Sequence, residues 1–195
     1  MKRILLAALA VAVLPLAAQA GDLSYNYVQA GYGATHNDNS GRDSHGWSGS
    51  GSAALGEHFQ VLGGLSRTNR DLPSNPNSNV NAWTLGAGFH TPISAKTDFV
   101  ADVDYHQASV DGLSRDIKRY SGELGVRSAM APQFEGWAMA GYTHAHDPNG
   151  DGRNNGEVFG KLGGQYKFTK NWGLVAEGTL AENNRGIFIG PRISF

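Results

Sequence analysis

The chain has 195 residues, 16 basic and 17 acidic side chains, a formal net charge of -1 and no cysteine. That balance removes the electrostatic case for nucleic acid as a partner, and without disulfides stability rests on a backbone ladder and on packing. The 27 glycines suit curved strands and turns better than helices.

Lys2 and Arg3 precede an apolar run over residues 4–16, and Ala18-Gln19-Ala20 supplies a small-residue cleavage pattern. The run is shorter than the roughly 20 residues a spanning helix needs. Residues 1–20 therefore read as a secretory signal, leaving a single domain over 21–195 with 14 basic and 17 acidic residues, a formal charge of -3. No later apolar run reaches spanning length, so a helical membrane protein is excluded. A transmembrane barrel is permitted, because only alternate residues of its strands must be apolar.

Alternation begins in the segment 24–34. Trp47, Gly49, Gly51, Ala53 and Leu55 then alternate with Ser48, Ser50 and Ser52, and after a turn at 56–58 the apolar set continues in Phe59, Val61, Gly63 and Leu65. Trp83, Leu85, Ala87 and Phe89 form the next apolar face. Phe99, Ala101, Val103 and Tyr105 oppose Asp98, Asp102, Asp104 and His106. Further on, Tyr120, Gly122, Leu124 and Val126 oppose Arg119, Ser121, Glu123 and Arg127. Segment 136–145 is apolar on both faces, which leaves its orientation open. In 157–168, Val158, Leu162, Tyr166 and Phe168 oppose Glu157, Lys161, Gln165 and Lys167; in 172–181, Trp172, Leu174, Ala176 and Leu180 oppose Glu177 and Thr179. The last segment, 186–195, sets Ile187, Ile189, Pro191, Ile193 and Phe195 against Phe188, Gly190, Arg192 and Ser194. An apolar-faced strand of this kind aggregates if its edge is unpaired, and closure onto the first strand removes the edge.

These segments predict an all-β protein, a transmembrane antiparallel up-and-down barrel of ten strands, with eight as the alternative count. Short connections at 57–58, 91–96, 130–135 and 169–171 alternate with long polar ones at 35–46, 69–80, 107–117 and 146–156, the asymmetry of periplasmic turns and extracellular loops; 182–185 is a short outer connection. Trp47, Phe59, Trp83, Phe89, Tyr120, Trp137, Phe168, Trp172 and Phe195 fall near strand ends, where interfacial aromatic girdles lie. A soluble lipocalin-like barrel would turn the apolar faces inward, but their glycine and alanine content lacks the bulk to fill an interior.

The signal segment, the amphipathic strands and the terminal Phe195 resemble the small bacterial outer-membrane β-barrels of the OmpA and OmpX type. The resemblance implies a location in the outer membrane of a Gram-negative bacterium, contact with its lipid, and insertion through periplasmic chaperones and the barrel-assembly machinery. It also implies an assembly signal carried here by Ile187, Ile189, Ile193 and Phe195. Leu23-Ser24-Tyr25-Asn26-Tyr27-Val28 with Gly31-Tyr32, the segment 134–142, and the closing Gly190-Pro191-Arg192-Ile193-Ser194-Phe195 further resemble a family of small outer-membrane proteins named as a sulfation-dependent quorum factor or as regulated by a diffusible signal. In that family the proposed sulfated tyrosine matches Tyr25, and the resemblance implies a part in cell-cell signalling, biofilm or virulence.

The inward face is strongly ionic. Asp102, Asp104, Arg119, Glu123, Arg127, Lys161, Glu177 and Arg192, with Asp98, His106 and Lys167, are expected to pair across a narrow lumen, because unpaired charge there is costly. Asp147, Asn149 and Asp151 place oxygen ligands at i, i+2 and i+4 before Gly152, the first half of a calcium loop, although Glu157 falls one position short of closing it. No other cofactor is indicated. His106, Ser109 and Asp111 form the nearest grouping to a catalytic base, nucleophile and acid, without a recognised motif. The expected function is non-enzymatic: a structural or surface-interaction role in which the extracellular loops meet an unidentified ligand. The alternatives are a narrow small-solute pore and an outer-membrane lipid-modifying enzyme.

Overall fold

The computed structural model describes residues 23–39, 41–72, 75–111, 116–146 and 156–195. The signal segment therefore lies outside the described residues. Ten antiparallel strands, β1 (Tyr27–Asn37), β2 (Arg42–Leu55), β3 (Phe59–Leu72), β4 (Asn75–Ser94), β5 (Thr97–Val110), β6 (Ile117–Ala131), β7 (Phe134–Ala145), β8 (Gly156–Lys167), β9 (Trp172–Ala181) and β10 (Asn184–Ser194), form a closed barrel. Each strand pairs with its sequence neighbours, and β10 pairs back onto β1. Closure satisfies every edge, which an apolar environment demands.

The period-two pattern determines which way each strand faces. Val103, Leu124, Leu162, Leu180 and Ile187 point outward and are exposed, while Asp102, Asp104, Glu123, Lys161 and Glu177 share the inner face. The buried apolar residues sit inside: Leu23, Tyr25, Val100, Ala129, Trp137, Met139 and Val175 form one cluster. Turns at 56–58, 95–96, 132–133 and 168–171 share an end with Leu23 and Phe195, which makes that end periplasmic.

The strand boundaries differ from the sequence reading in two respects. The first strand starts at Tyr27 and runs to Asn37, not over 24–34, so residues 23–26 lie outside it. The outer connections are also shorter than expected. The long connection at 35–46 contracts to the residues between Asn37 and Arg42, and β3 and β4 continue to Leu72 and from Asn75. Pairing needs only two facing backbones, so polar residues extend the ladder beyond the apolar band as readily as apolar ones. Asn37 and Asn184, hydrogen-bonded through their side chains at 2.8 Å, mark this extension on β1 and β10.

The closing seam has its own geometry. Pairing between β1 and β10 runs to Gln29↔Arg192 and resumes at Tyr32↔Ile189. Pro191, which has no N–H to give, sits in the gap. Gly31 and Gly190 approach so closely there that a Cβ on Gly190 would run into the Ala30 carbonyl and the Gly31 Cα. Gly190→Val is therefore expected to cost about 1–3 kcal/mol through overpacking, read as a lower urea midpoint for loss of the compact, heat-modifiable gel band.

Candidate functional site

The lumen is the only place where sequence-predicted polar residues meet among the described residues. Its periplasmic floor is built from the segment preceding β1. Tyr25, 2% exposed, lies inside the barrel mouth, stacked on His90 with ring centroids 3.6 Å apart. Its hydroxyl donates to Asp98 Oδ2 at 2.9 Å, and the Arg127 guanidinium lies 4.9 Å from its ring centroid. The segment is pinned on both sides of this ring. Ser24 Oγ donates to the Phe195 carbonyl at 2.8 Å, and Asn26 Oδ1 accepts from the Ala54 N–H at 2.8 Å.

Beside Tyr25 the floor is ionic. Arg127 Nη2 donates to Glu135 Oε1 at 2.7 Å, Lys167 Nζ stands 3.5 Å from Glu135 Oε2, and Arg192 Nη1 is 3.9 Å from Glu135 Oε1. One carboxylate, 1% exposed, thus faces three cations. Arg192 also donates from Nε and Nη2 to Gln29 Oε1 at 2.8 and 2.6 Å, and stacks over Tyr27 and Trp137. Stacking and forked donation of this kind suit arginine and not lysine.

Above the floor a cavity of about 270 Å³ extends to the level of Thr84 and His106. Lys161 Nζ reaches Glu123 Oε2 at 2.6 Å, Trp137 Nε1 donates to Glu177 Oε2 at 2.7 Å, and Gln60 Nε2 donates to Asp102 Oδ1 at 2.9 Å. Asp104 lines the same cavity. Across from these charges the wall from β2 to β4 carries Ser50, Gly64 and Thr84. Small side chains on one wall leave room for long charged ones on the other. The arrangement pairs Lys161 with Glu123 and holds the Glu177 and Asp102 carboxylates by the neutral donors Trp137 and Gln60.

Burial beside the Asp98 carboxylate pushes the Tyr25 phenol well above the ordinary tyrosine range, with Arg127 opposing the shift. The neutral phenol is thus favoured in the folded barrel, and its contribution is fully present below about pH 10, the ordinary tyrosine value. It is lost as pH rises beyond that value toward the raised one. An alkaline titration should therefore show one tyrosine ionising only with release of the floor, seen as a delayed tyrosinate absorbance step absent from Tyr25→Phe.

Most of the predicted network is brought together: Asp102, Asp104, Glu123, Arg127, Lys161, Glu177 and Arg192 line one cavity. Arg119 is not among them. It is exposed at the outer end of β6, opposite His106, four residues of strand rise beyond Glu123. Trp137 is also corrected, from the aromatic girdle to the lumen, where Glu177 accepts its N–H. The sequence reading sets Gln165 on the polar face of its strand without including it in the network, and does not include Tyr25, His90, Gln60 or Glu135. Glu135 had been placed in a turn, and β7 begins one residue before it.

His106, Ser109 and Asp111 do not converge. The ring nitrogens of His106 face Thr84 Oγ1 and Ser121 Oγ, each at 2.8 Å, while Ser109 donates to the Asn81 carbonyl and Asp111 accepts from Asn79. Strand parity explains it, since residues 106 and 109 point to opposite faces. Asp147, Asn149 and Asp151 lie outside the described residues. Ile187, Ile189 and Phe195 are exposed on the outer wall, with Ile193 half-buried beside them on β10.

A family model described as outer membrane protein beta-barrel domain matches residues 5–185. No curated protein sequence matches the chain. Among solved structures, NanC porin is similar over 86% of this chain and 100% of its own, at 9% identity and a TM-score of 0.52. Neisserial surface protein A is similar over 88% of this chain and 98% of its own, at 17% identity and a TM-score of 0.43. A loop L8 deletion mutant of OmpT, an outer membrane protein of Vibrio cholerae, is matched over 87% of this chain at 17% identity and a TM-score of 0.43; the chain spans only 59% of that protein's length.

Proposed function

This chain belongs to the family of outer-membrane protein β-barrel domains and resides in the Gram-negative outer membrane, and on that premise we propose that it is a non-enzymatic, non-conducting barrel. Its role is structural and adhesive in character: the β-ladder extends past the apolar band and presents polar hairpin ends and loops to an extracellular ligand. The observation that carries this reading is the floor, where Tyr25, Arg127, Glu135, Gln165 and Arg192 are buried side by side. Ions crossing there would have to displace a packed aromatic and break a buried ion pair. Support for the non-catalytic part comes from His106, held by Thr84 and Ser121 and away from Ser109 and Asp111.

Protein reconstituted in planar bilayers should give no reproducible single-channel conductance. Stable unitary steps would instead favour the pore reading, for which the charged 270 Å³ cavity is the supporting observation. A signalling role is the finer version of the surface reading, and it would act through the loops. A sulfate ester on Tyr25 would remove the O–H that Asp98 accepts and set an anion against that carboxylate in a buried site. Deletion of the gene with normal responses to conditioned medium would remove the signalling version and leave the barrel reading intact.

A further inference from the structure

The extracellular end of the β1–β10 joint is fastened from several strands. The Asp38 N–H donates to the Asn183 carbonyl at 2.9 Å, which lays the β1–β2 turn against the β9–β10 turn. Arg185 Nη2 donates to Asp38 Oδ1 at 2.6 Å across the same joint, and Glu157 of β8 accepts from the Asn183 N–H at 2.8 Å and from Asn184 Nδ2. His36 sits in the middle of this clasp. It is paired with Asp43 of β2 on one side and with Arg185 of β10 on the other. Both of its ring nitrogens face carboxylate oxygen: Nδ1 is 2.7 Å from Asp43 Oδ1, and Nε2 is 3.6 Å from Asp38 Oδ1.

An ionised carboxylate only accepts hydrogen bonds, and a neutral imidazole has a single N–H to give. If the neutral ring donates to Asp43 through Nδ1, its Nε2 turns a lone pair to Asp38; in the other tautomer Asp43 meets the lone pair instead. Only the imidazolium satisfies both. Arg185 opposes its charge from β10, but that guanidinium is engaged by Asp38, and two carboxylates stand against it. Arg42, one pair further up the β1–β2 ladder, points to the opposite face by strand parity. Imidazole is also the side chain that changes charge between about pH 5 and 8. We propose that His36 is a pH switch for this clasp: its protonation locks the β1–β2 turn onto the β9–β10 turn, and its deprotonation releases the corner at Asp38. The lock is present in acid and is lost as pH rises through the titration of the ring. The groups involved are partly or largely exposed, so the lock is weak and is screened by salt.

The test is solvent-exchange NMR of the Asp38 amide in the whole protein in nanodiscs, with rates corrected for the intrinsic pH dependence of exchange. From about pH 8 to about pH 5, the range of imidazole titration, protection of this amide should rise about threefold to fivefold, the scale of one or two exposed ion pairs. The Ala129 amide, which donates to the Lys96 carbonyl at the periplasmic end, should show no such rise. His36→Gln should abolish the rise at Asp38 while keeping the heat-modifiable band. His45→Gln, which removes a nearby imidazole beside Tyr32, should leave the rise as in wild type. If His36→Gln does not fold, Asp43→Asn, which takes away one of the two carboxylates, is judged by the same measurement and should diminish the rise. The proposal is overturned by a flat wild-type profile, by an equal rise in His36→Gln or its substitute, or by a rise that His45→Gln removes.

Discussion

Replacing Glu135 with alanine is expected to cost about 3–5 kcal/mol, the range for removing one partner of a buried ion pair. Among the described residues Glu135 is the carboxylate within 4 Å of Arg127, and it also faces Lys167 and Arg192. Its loss leaves Arg127 and Arg192, both buried, without the carboxylate that each faces within 4 Å. Solvent screening is weak at so little exposure, so the full range applies. The double variant Glu135→Leu with Arg127→Met should recover most of the loss, because an apolar pair of similar volume does not strand a charge. Urea midpoints in detergent micelles for wild type and these two variants measure the loss and its recovery. If Glu135→Ala moves the midpoint no further than a surface substitution such as Glu57→Ala, the floor is not held as described.

Tyr25→Ala is expected to be the second large effect, about 3–5 kcal/mol by analogy with other buried aromatic truncations, and it separates stability from permeability. The ring closes the periplasmic mouth through four contacts, with His90, Asp98, Arg127 and the packed Leu23 neighbourhood. Removal joins the space it filled to the cavity above, whose lining already includes Tyr25 and Arg127. Tyr25→Ala should therefore conduct in planar bilayers where wild type does not, and Tyr25→Phe, which keeps the plane and loses only the donor to Asp98, should stay closed. A silent Tyr25→Ala barrel would mean that Arg127, Glu135 and Arg192 close the mouth unaided.

The strand faces were legible wherever one side of a strand is apolar and the other is not. Val103 between Asp102 and Asp104 admits a single orientation, and the charged inner face followed from it. Segment 136–145 could not be oriented, since Ala138 and Ala140 outside and Trp137 and Met139 inside are all apolar; only the N–H of Trp137 seeking Glu177 distinguishes them. Glu135 was hidden by its neighbours, because Pro132 two residues before β7 reads as a turn extending past it. Tyr25 was hidden for the opposite reason. Leu23, Tyr25 and Tyr27 alternate with Ser24 and Asn26 as a strand would, and what diverts the segment into the lumen is a set of partners contributed by Ala54, His90, Asp98 and Phe195. Partners that distant are not encoded in local periodicity.

The glycine seam between β1 and β10 also bears on the order of events in assembly. Every other strand pair is a hairpin whose members are close in sequence, but this pair joins residues such as Gln29 and Arg192, 163 apart. Local hairpins form rapidly and long loops close slowly, so the sheet is complete before its margins meet. Until then two unpaired margins persist, and the joint that removes them lacks a donor at Pro191 and has no side chains at Gly31 and Gly190. The joint thus meets as bare backbone at its centre and is tied on either side by Arg192 to Gln29 and by Asn37 to Asn184, contacts that exist only once the cylinder has closed.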